Sequence, residues 1–320
     1  FCLLQVTMEI IRGPTNLKEG HRGCVVTIGN FDGVHTGHQA ILKQVKDKAS
    51  ELGVPSMLIC FEPQPKEFFS AHLAPARLTR FREKVELLEA CGIDLVFCLR
   101  FNEETRSISA QQFMDLLTND IKVRALFVGD DFQFGYDRSG GFELLQSIGE
   151  QHGFPVTNLY TMTYESIRVS STHIRECLFQ GDFATAEEML GHPYAITGKV
   201  VYGRQVGRTI GIPTANIHLH RYRAPIEGVY AVEVQGLDAD YIGVANVGVR
   251  PTFEEEMLKP ILEVHILDFN QDIYGRFVKV IFRHKVREEM KFDGIDQLKS
   301  AISNDIESAR ELFKDKFKDK

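Results

Sequence analysis

The pattern of apolar and polar positions changes near residue 188. Before that point, short apolar runs alternate with amphipathic stretches, which is typical of an α/β domain built on a parallel sheet. The runs predict buried strands at 25–28, 56–61, 95–99, 125–128 and 156–159. After it, turn-separated apolar runs predict a small β-barrel with strands at 196–201, 229–234, 241–249, 262–269 and 277–282. An amphipathic helix is predicted at 295–313.

The length of the chain supports two domains. A chain of 320 residues is long for one compact core, so we place one domain at 8–187 and a second at 188–320. Met8 resembles a natural start, and we expect residues 1–7 to be an extension outside the fold.

Composition and charge narrow the class of protein. The formal net charge of −7 argues against non-specific binding to nucleic acid, which relies on a basic surface. No apolar run reaches membrane-spanning length, and residues 1–4 lack the basic flank of a signal peptide. The six cysteines form no C-x-x-C pair and are expected to be mostly buried free thiols. We therefore expect a cytoplasmic protein without a nucleic-acid or membrane partner; its oligomeric state is not indicated.

The stretch GNFDGVHTGH, residues 29–38, joins the first predicted strand to a predicted helix at 39–52. A tight glycine turn at such a joint aims free N–H groups and the positive end of a helix dipole at an anion. His35 and His38 lie three residues apart, so both rings can approach one phosphate chain. An isolated H-x-x-H is more commonly an exposed turn.

Three further strings in the first half carry unusual chemistry. FEPQPKEFF at 61–69 has two prolines that predict extended backbone, either as a rigid loop or as a ligand wall. Lys84 opens a predicted helix and is compatible with a solvated charged face. In VGDDFQFGYDRSG at 128–140, the two aspartates form either a metal pair or an Asx turn. The hydroxyl residues of SSTHIR at 170–175 form a helix N-cap by default, and the arginine makes that cap an anion site.

The second half carries GRQVGRTIGIPTAN at 203–216. Its glycines let the backbone approach a ligand, but there is no Walker lysine, so a P-loop kinase is excluded. LEVHILDF at 262–269 places Glu263 on a strand, where it is either a base or an outward-facing carboxylate.

These strings together resemble those of the bacterial bifunctional riboflavin kinase/FAD synthetases, whose first domain belongs to the nucleotidyltransferases with an H-x-G-H motif. The resemblance spans about residues 8–310, and its main departure is Gln64, where the family usually has histidine. It implies that His35 and His38 are catalytic and stabilise the phosphates. It also implies that the nucleotide phosphates are bound by Gly29, Asn30, Phe31, Gly33, Ser170, Ser171, Thr172 and Arg175. The 29–38 turn and the 170–175 string would then close on one triphosphate from two sides.

The same resemblance implies a flavin site and a kinase site. The residues on the flavin side are Phe61, Pro63, Asp131, Phe132, Phe134, Arg138, Arg287 and Phe292, and the segment containing Lys84 contributes there too. In the kinase half it implies that Glu263 takes a proton from the ribityl hydroxyl, and that Thr214 and Asn216 organise Mg²⁺. It assigns nucleotide binding in that half to Gly203, Gly207 and Gly211.

The function implied is an enzyme with two sites. The barrel would phosphorylate riboflavin to FMN, and the α/β domain would adenylylate FMN to FAD with release of pyrophosphate, with ATP as co-substrate of both. One alternative is a nucleotidyltransferase for another small substrate with the barrel as a flavin sensor. A second alternative is a non-catalytic flavin carrier.

Overall fold

The structure is a computed structural model that describes residues 8–129, 132–159, 163–164, 167–203, 207, 210–251 and 258–314. The chain divides into two compact units, each described by itself below. The first unit comprises residues 1–75 and 79–170, and the second comprises 76–78 and 171–320. The expected domain boundary at residue 188 stays a prediction; the second unit also includes residues 171–187. Residues 1–7 lie outside the described part of the chain.

The first unit is built on a six-stranded parallel sheet. Its strands are β1 Glu9–Arg12, β2 Val25–Ile28, β3 Ser56–Glu62, β4 Leu95–Arg100, β5 Ala125–Gly129 and β6 Val156–Leu159. The order across the sheet is β1-β4-β3-β2-β5-β6. All five strands expected from the apolar runs are confirmed. β1 was not predicted, because it is a short edge strand with a charged residue at each end.

Helices of the first unit connect these strands. They are α1 Thr36–Leu52, α2 Pro65–Phe69, α3 Phe81–Ala90, α4 Glu103–Arg106, α5 Ala110–Asp115 and α6 Phe142–His152, with short 3₁₀ turns at Pro14–Asn16 and Glu19–His21, a π-helical turn at Leu116–Ile121, and a ribbon of β7 Thr163–Tyr164 and β8 Ile167–Arg168. Leu42, Val45 and Ala49 of α1 are buried against the sheet at helical spacing. The chain order of the strands reverses at β2, so the loop that follows β2 lies at a topological switch point. Parallel sheets bind ligands at that position, and it is occupied by residues 29–38.

The second unit is a closed antiparallel barrel with the strand order β10-β13-β12-β11-β14-β9. The strands are β9 Ala195–Val201, β10 Ala215–Ile217, β11 Gly228–Gln235, β12 Tyr241–Pro251, β13 Leu258–Ile266 and β14 Phe277–Arg287. α7 Ser171–Gln180 and α8 Phe183–Leu190 precede the barrel, and α9 Ile295–Leu312 packs on its outer face through Ala309. The barrel and the closing helix are confirmed. The three-residue β10 was not predicted, because it carries no apolar run of its own.

Several local expectations are settled by burial. Cys24, Cys60, Cys98 and Cys177 are free and buried, as expected, while Cys91 is free and half-buried and Cys2 lies outside the described residues. The exposed position considered for Lys84 is wrong, because its side chain is completely buried. Extended backbone through both prolines of 61–69 is also wrong at the second one, since Pro65 begins α2. Among the described residues, no helix is long and apolar enough to cross a membrane.

Candidate active sites

The turn after β2 has an unusual backbone. Phe31, Gly33 and Val34 all have positive φ angles, of 46°, 86° and 41°. This conformation is costly for the two residues that carry side chains, so neighbouring contacts must hold it. The carboxylate of Asp32 supplies one of them, because its Oδ1 accepts from the Thr79 N–H at 3.0 Å. Thr79 Oγ1 in turn accepts from the Gly33 N–H at 2.9 Å.

The two histidines lie at the N-terminus of α1 and are stacked on each other. Their ring centroids are 3.6 Å apart, and Phe31 lies 4.6 Å from the His38 ring. His35 is the N-cap residue, and its Nδ1 accepts from the His38 N–H at 3.3 Å. In neutral His35 the proton is therefore on Nε2. Because His35 is only 6% exposed, the interpretation of this pair as an exposed turn is wrong.

His38 is held in its neutral form. Burial, followed by the neighbouring His35 and the charge of Lys84, places the pKa of His38 well below its ordinary value. Its Nδ1 is buried and has no hydrogen-bond partner among the described residues. A neutral imidazole beside the N-terminus of a 17-residue helix is a preorganised donor for an anion that gains charge during a reaction.

The predicted flavin-side residues of the first unit differ in their surroundings. Phe134 is buried, and its N–H and C=O both pair with Gly140, which closes the loop between them. Phe132 stacks on it at 5.7 Å, and Arg138 is exposed with a φ of 57°. Phe61 packs edge-on against Phe101 at 5.9 Å, with Pro63 two residues further along the chain. Asp131 lies outside the described residues, so its role stays a prediction together with those of the others.

The string at 170–175 starts a helix, as predicted. Ser171 and Thr172 are in the first turn of α7, and Arg175 Nε donates to the carbonyl of Ala76. These residues group with the second unit, whereas the histidines group with the first. Joint action of the two motifs on one triphosphate therefore stays a prediction.

In the second unit, two glycines make room for the predicted metal ligands. A Cβ at Gly203 would coincide with the side chain of Asn216. A Cβ at Gly207 would collide with the carbonyl of Ile212 and lie 3.5 Å from Thr214 Oγ1. The Gly207 carbonyl accepts from the Ile212 N–H at 2.8 Å, which folds the loop back onto β10. The glycines therefore let the loop backbone approach the oxygens of Thr214 and Asn216, as the pattern indicated. Gly211, in the same loop, has a φ of 83°.

Glu263 lies in a polar row that crosses three strands. On β13 it is paired with Asn216 of β10 on one side and with Asn246 of β12 on the other. Cross-strand partners share a face, so the three side chains project to the same side of the barrel. Asn246 Nδ2 donates to Glu289 at 3.4 Å, while its buried Oδ1 has no partner among the described residues. Asn246 was not singled out from the sequence, where it is one polar residue in a valine- and glycine-rich strand.

A cavity of about 420 Å³ lies in the second unit. It is lined by Thr214, by neighbouring strand residues and by the segment 269–274. Tyr274 of that segment stacks on Tyr202 at 3.9 Å. The volume and the mixed polar and aromatic wall suit a small molecule of nucleotide size.

Arg287 and Phe292, predicted on the flavin side, are close together. The Arg287 guanidinium lies 5.6 Å from the centre of the Phe292 ring. It also forms a two-pronged ion pair with Asp305 of α9, with both distances 2.9 Å. Arg287 therefore joins β14 to the closing helix, and its predicted contact with flavin stays a prediction.

A strand–turn–helix joint of the kind that binds anions and a separate barrel with a glycine loop indicate an enzyme with two transferase sites. Comparison with known families agrees: the model of the FAD synthetase family matches residues 17–173, and that of the riboflavin kinase family matches 190–313. The chain belongs to the family of bifunctional riboflavin kinase/FMN adenylyltransferases. It is therefore an enzyme of FAD biosynthesis that makes FMN and then FAD, and the sensor and carrier alternatives are set aside.

Similar proteins cover nearly the whole chain. The bifunctional riboflavin kinase/FMN adenylyltransferase of Escherichia coli strain K12 is 48% identical over 309 residues, covering 96% of this chain and 98% of the relative. The protein of that name from Haemophilus influenzae is 46% identical over 308 residues, covering 96% and 99%. A crystal structure described as a macrolide-efflux protein from Streptococcus pneumoniae is 31% identical, with a TM-score of 0.77 over 95% of this chain and 99% of that one. This likeness supports the fold of the chain.

Proposed function

We propose that the two reactions are carried out by separate sites, adenylylation at the 29–38 turn of the first unit and riboflavin phosphorylation at the Asn216–Glu263 row of the second. The observation that carries this proposal is the stacked pair of a buried His35 and a half-buried His38 at the N-terminus of α1. A second, independent polar row on the barrel supports a division of labour. We also propose the domain boundary near residue 188.

For adenylylation, we propose that ATP binds with its phosphates over the N-terminus of α1. A phosphate oxygen of FMN attacks the α-phosphorus in line, the bond to the bridging oxygen breaks, and pyrophosphate leaves. Negative charge grows on the leaving group, and N–H donors at the turn stabilise it. Neutral His35 carries such a donor at Nε2, because its Nδ1 already accepts from the His38 N–H. No covalent bond to the enzyme is needed.

For riboflavin phosphorylation, we propose that the cavity beside Thr214 receives ATP. Glu263 accepts the proton of the ribityl hydroxyl as its oxygen attacks the γ-phosphorus and ADP leaves. The oxygens of Thr214 and Asn216 suit Mg²⁺, a hard cation that also takes phosphate oxygens and neutralises their charge. The two glycines that admit the loop backbone to these side chains support that fit.

The ligands proposed for this chain are riboflavin, FMN, FAD and ATP. No nucleic-acid or membrane partner is proposed, and the net charge of −7 supports this. We propose a cytoplasmic location.

A pair of variants tests the division. With riboflavin, ATP and Mg²⁺, His38→Ala is expected to accumulate FMN, because its FMN-to-FAD turnover falls by about 10² to 10³. Glu263→Gln is expected to lose about 10² to 10⁴ in riboflavin phosphorylation while still converting supplied FMN to FAD. Products are separated by chromatography, and circular dichroism confirms folding. Loss of both reactions in either folded variant would contradict the proposal.

A further inference from the structure

The side chain of Lys84 is buried in the first unit. Its side chain is 0% exposed, and its Nζ has no hydrogen bond among the residues that the structure describes. No carboxylate of the described chain lies within ion-pair distance of it. Glu83, the neighbouring buried carboxylate, instead accepts from the Arg80 N–H at the start of α3.

The position of Lys84 relates it to the 29–38 turn. Leu88, one turn further along α3, belongs to a buried apolar cluster that also contains Phe31 and Val34 of the turn. Phe81, three residues before Lys84, packs on the same cluster, so Lys84 is on the face of α3 that packs beneath the turn. Thr79 fixes the segment before α3 to Asp32 and Gly33 of the turn. Lys84 is also close enough to His38 for its charge to contribute to the lowered pKa of that ring.

Protein stability does not explain such a residue. Removing an ammonium from water is costly unless a counter-charge and hydrogen bonds compensate it, and the described part of the chain supplies neither to Lys84. A neutral side chain of similar length would fill the same space among apolar neighbours at lower cost. A retained buried cation beside an anion-binding turn is instead explained by a charge that arrives with the ligand.

We propose that Lys84 is a positioning residue for adenylylation: its buried positive charge stabilises the polyphosphate bound over the turn, and above all the departing pyrophosphate. This inference rests on the proposed adenylyl-transfer site. Lys84 acts through the field of its charge and through the turn above it, without touching the substrate. In the low-dielectric interior, such a charge is weakly screened over the distance to a bound phosphate.

The test uses Lys84→Met in the full chain, since methionine keeps the length of the stem and removes the charge. The probe is inorganic pyrophosphate as an inhibitor of FMN-to-FAD conversion. We expect its inhibition constant to rise about tenfold and FAD formation to slow, while the unfolding temperature of the ligand-free protein is unchanged or higher. Leu88→Met is the matched control, because it alters packing in the same cluster without changing charge. Leu88→Met is expected to change neither the inhibition constant of pyrophosphate nor the rate of FAD formation.

An unchanged inhibition constant in Lys84→Met would overturn the inference. A lower unfolding temperature with losses matched by Leu88→Met would assign Lys84 to folding and overturn it too. If Lys84→Met does not fold, Lys84→Arg is compared with Lys84→Gln. We expect pyrophosphate to inhibit the charged Lys84→Arg variant with the lower inhibition constant. Equal inhibition constants in the two variants would overturn the proposal. His38→Ala distinguishes failure of the Lys84 inference from failure of the proposed function. Normal FAD formation in His38→Ala would contradict the adenylyl-transfer site on which the inference rests.

Discussion

The two candidate sites are assembled in different ways. In the first unit, the site is one continuous stretch, residues 29–38, that turns from the end of β2 into α1. In the second unit, Asn216, Glu263 and Asn246 come from three strands that are far apart in sequence and are aligned by antiparallel register. Local backbone strain and helix capping position the first site, whereas sheet register and a glycine loop position the second. Changes to one should therefore leave the other working.

After Glu263→Gln, the next largest effect in the second site is expected from Gly203→Ala. The added Cβ would take the place of the Asn216 side chain, which must then turn away from Glu263. Misplacing a positioning group by about 1 Å can cost about 10²-fold, and we expect a loss of that order in riboflavin phosphorylation. The FMN-to-FAD rate of the same sample is the internal control. Normal kinase turnover would show that Asn216 need not hold this position.

A smaller effect in the same site is expected from Thr214→Val, which removes one oxygen and keeps the branched shape. We expect the Mg²⁺ concentration needed for half-maximal kinase activity to rise about tenfold, since contacts to charged groups contribute about 1.5–3 kcal/mol. A magnesium titration with riboflavin and ATP measures this. An unchanged titration curve would count against Thr214 as a ligand, and adenylylation of supplied FMN serves as the comparison.

The smallest expected effect is a pH dependence of the protein's stability that arises from His38 in the first site. Because the pKa of His38 is lowered in the folded protein, the unfolded chain binds a proton first as pH falls through the ordinary histidine range. Stability should therefore be fully present above that range and decline from about pH 7 toward pH 5. Thermal unfolding of wild type and His38→Gln across this window is the measurement. We expect a shallower decline in the variant, and parallel curves would contradict the lowered pKa.

The contrast between the sites also explains what sequence reasoning could find. The strands β2 to β5 were predictable because each is a short apolar run, and the 29–38 turn because its residues are contiguous. Edge strand β1 and the short β10 lack such a run. They are recognised as strands only by their pairing, β1 with β4 and β10 with β9 and β13. Asn246 becomes notable only when register places it beside Glu263.

Two residues show why local pattern misleads. Lys84 was compatible with a solvated face because its charge favours water, but the tertiary packing of α3 buries it. Pro65 was expected to extend the chain, yet a proline also fits the first turn of a helix, where its missing N–H costs nothing. In both cases the deciding information lies in neighbouring elements and not in the local string.

The most direct test of the division between the sites is to combine the two inactive halves. His38→Ala and Glu263→Gln are each given riboflavin, ATP and Mg²⁺, first separately and then mixed, and FMN and FAD are followed by chromatography. We predict that His38→Ala alone stops mainly at FMN, that Glu263→Gln alone leaves riboflavin largely unphosphorylated, and that the mixture makes FAD. FAD formation at the wild-type rate by either variant alone, or no FAD from a mixture in which FMN accumulates, would contradict the account.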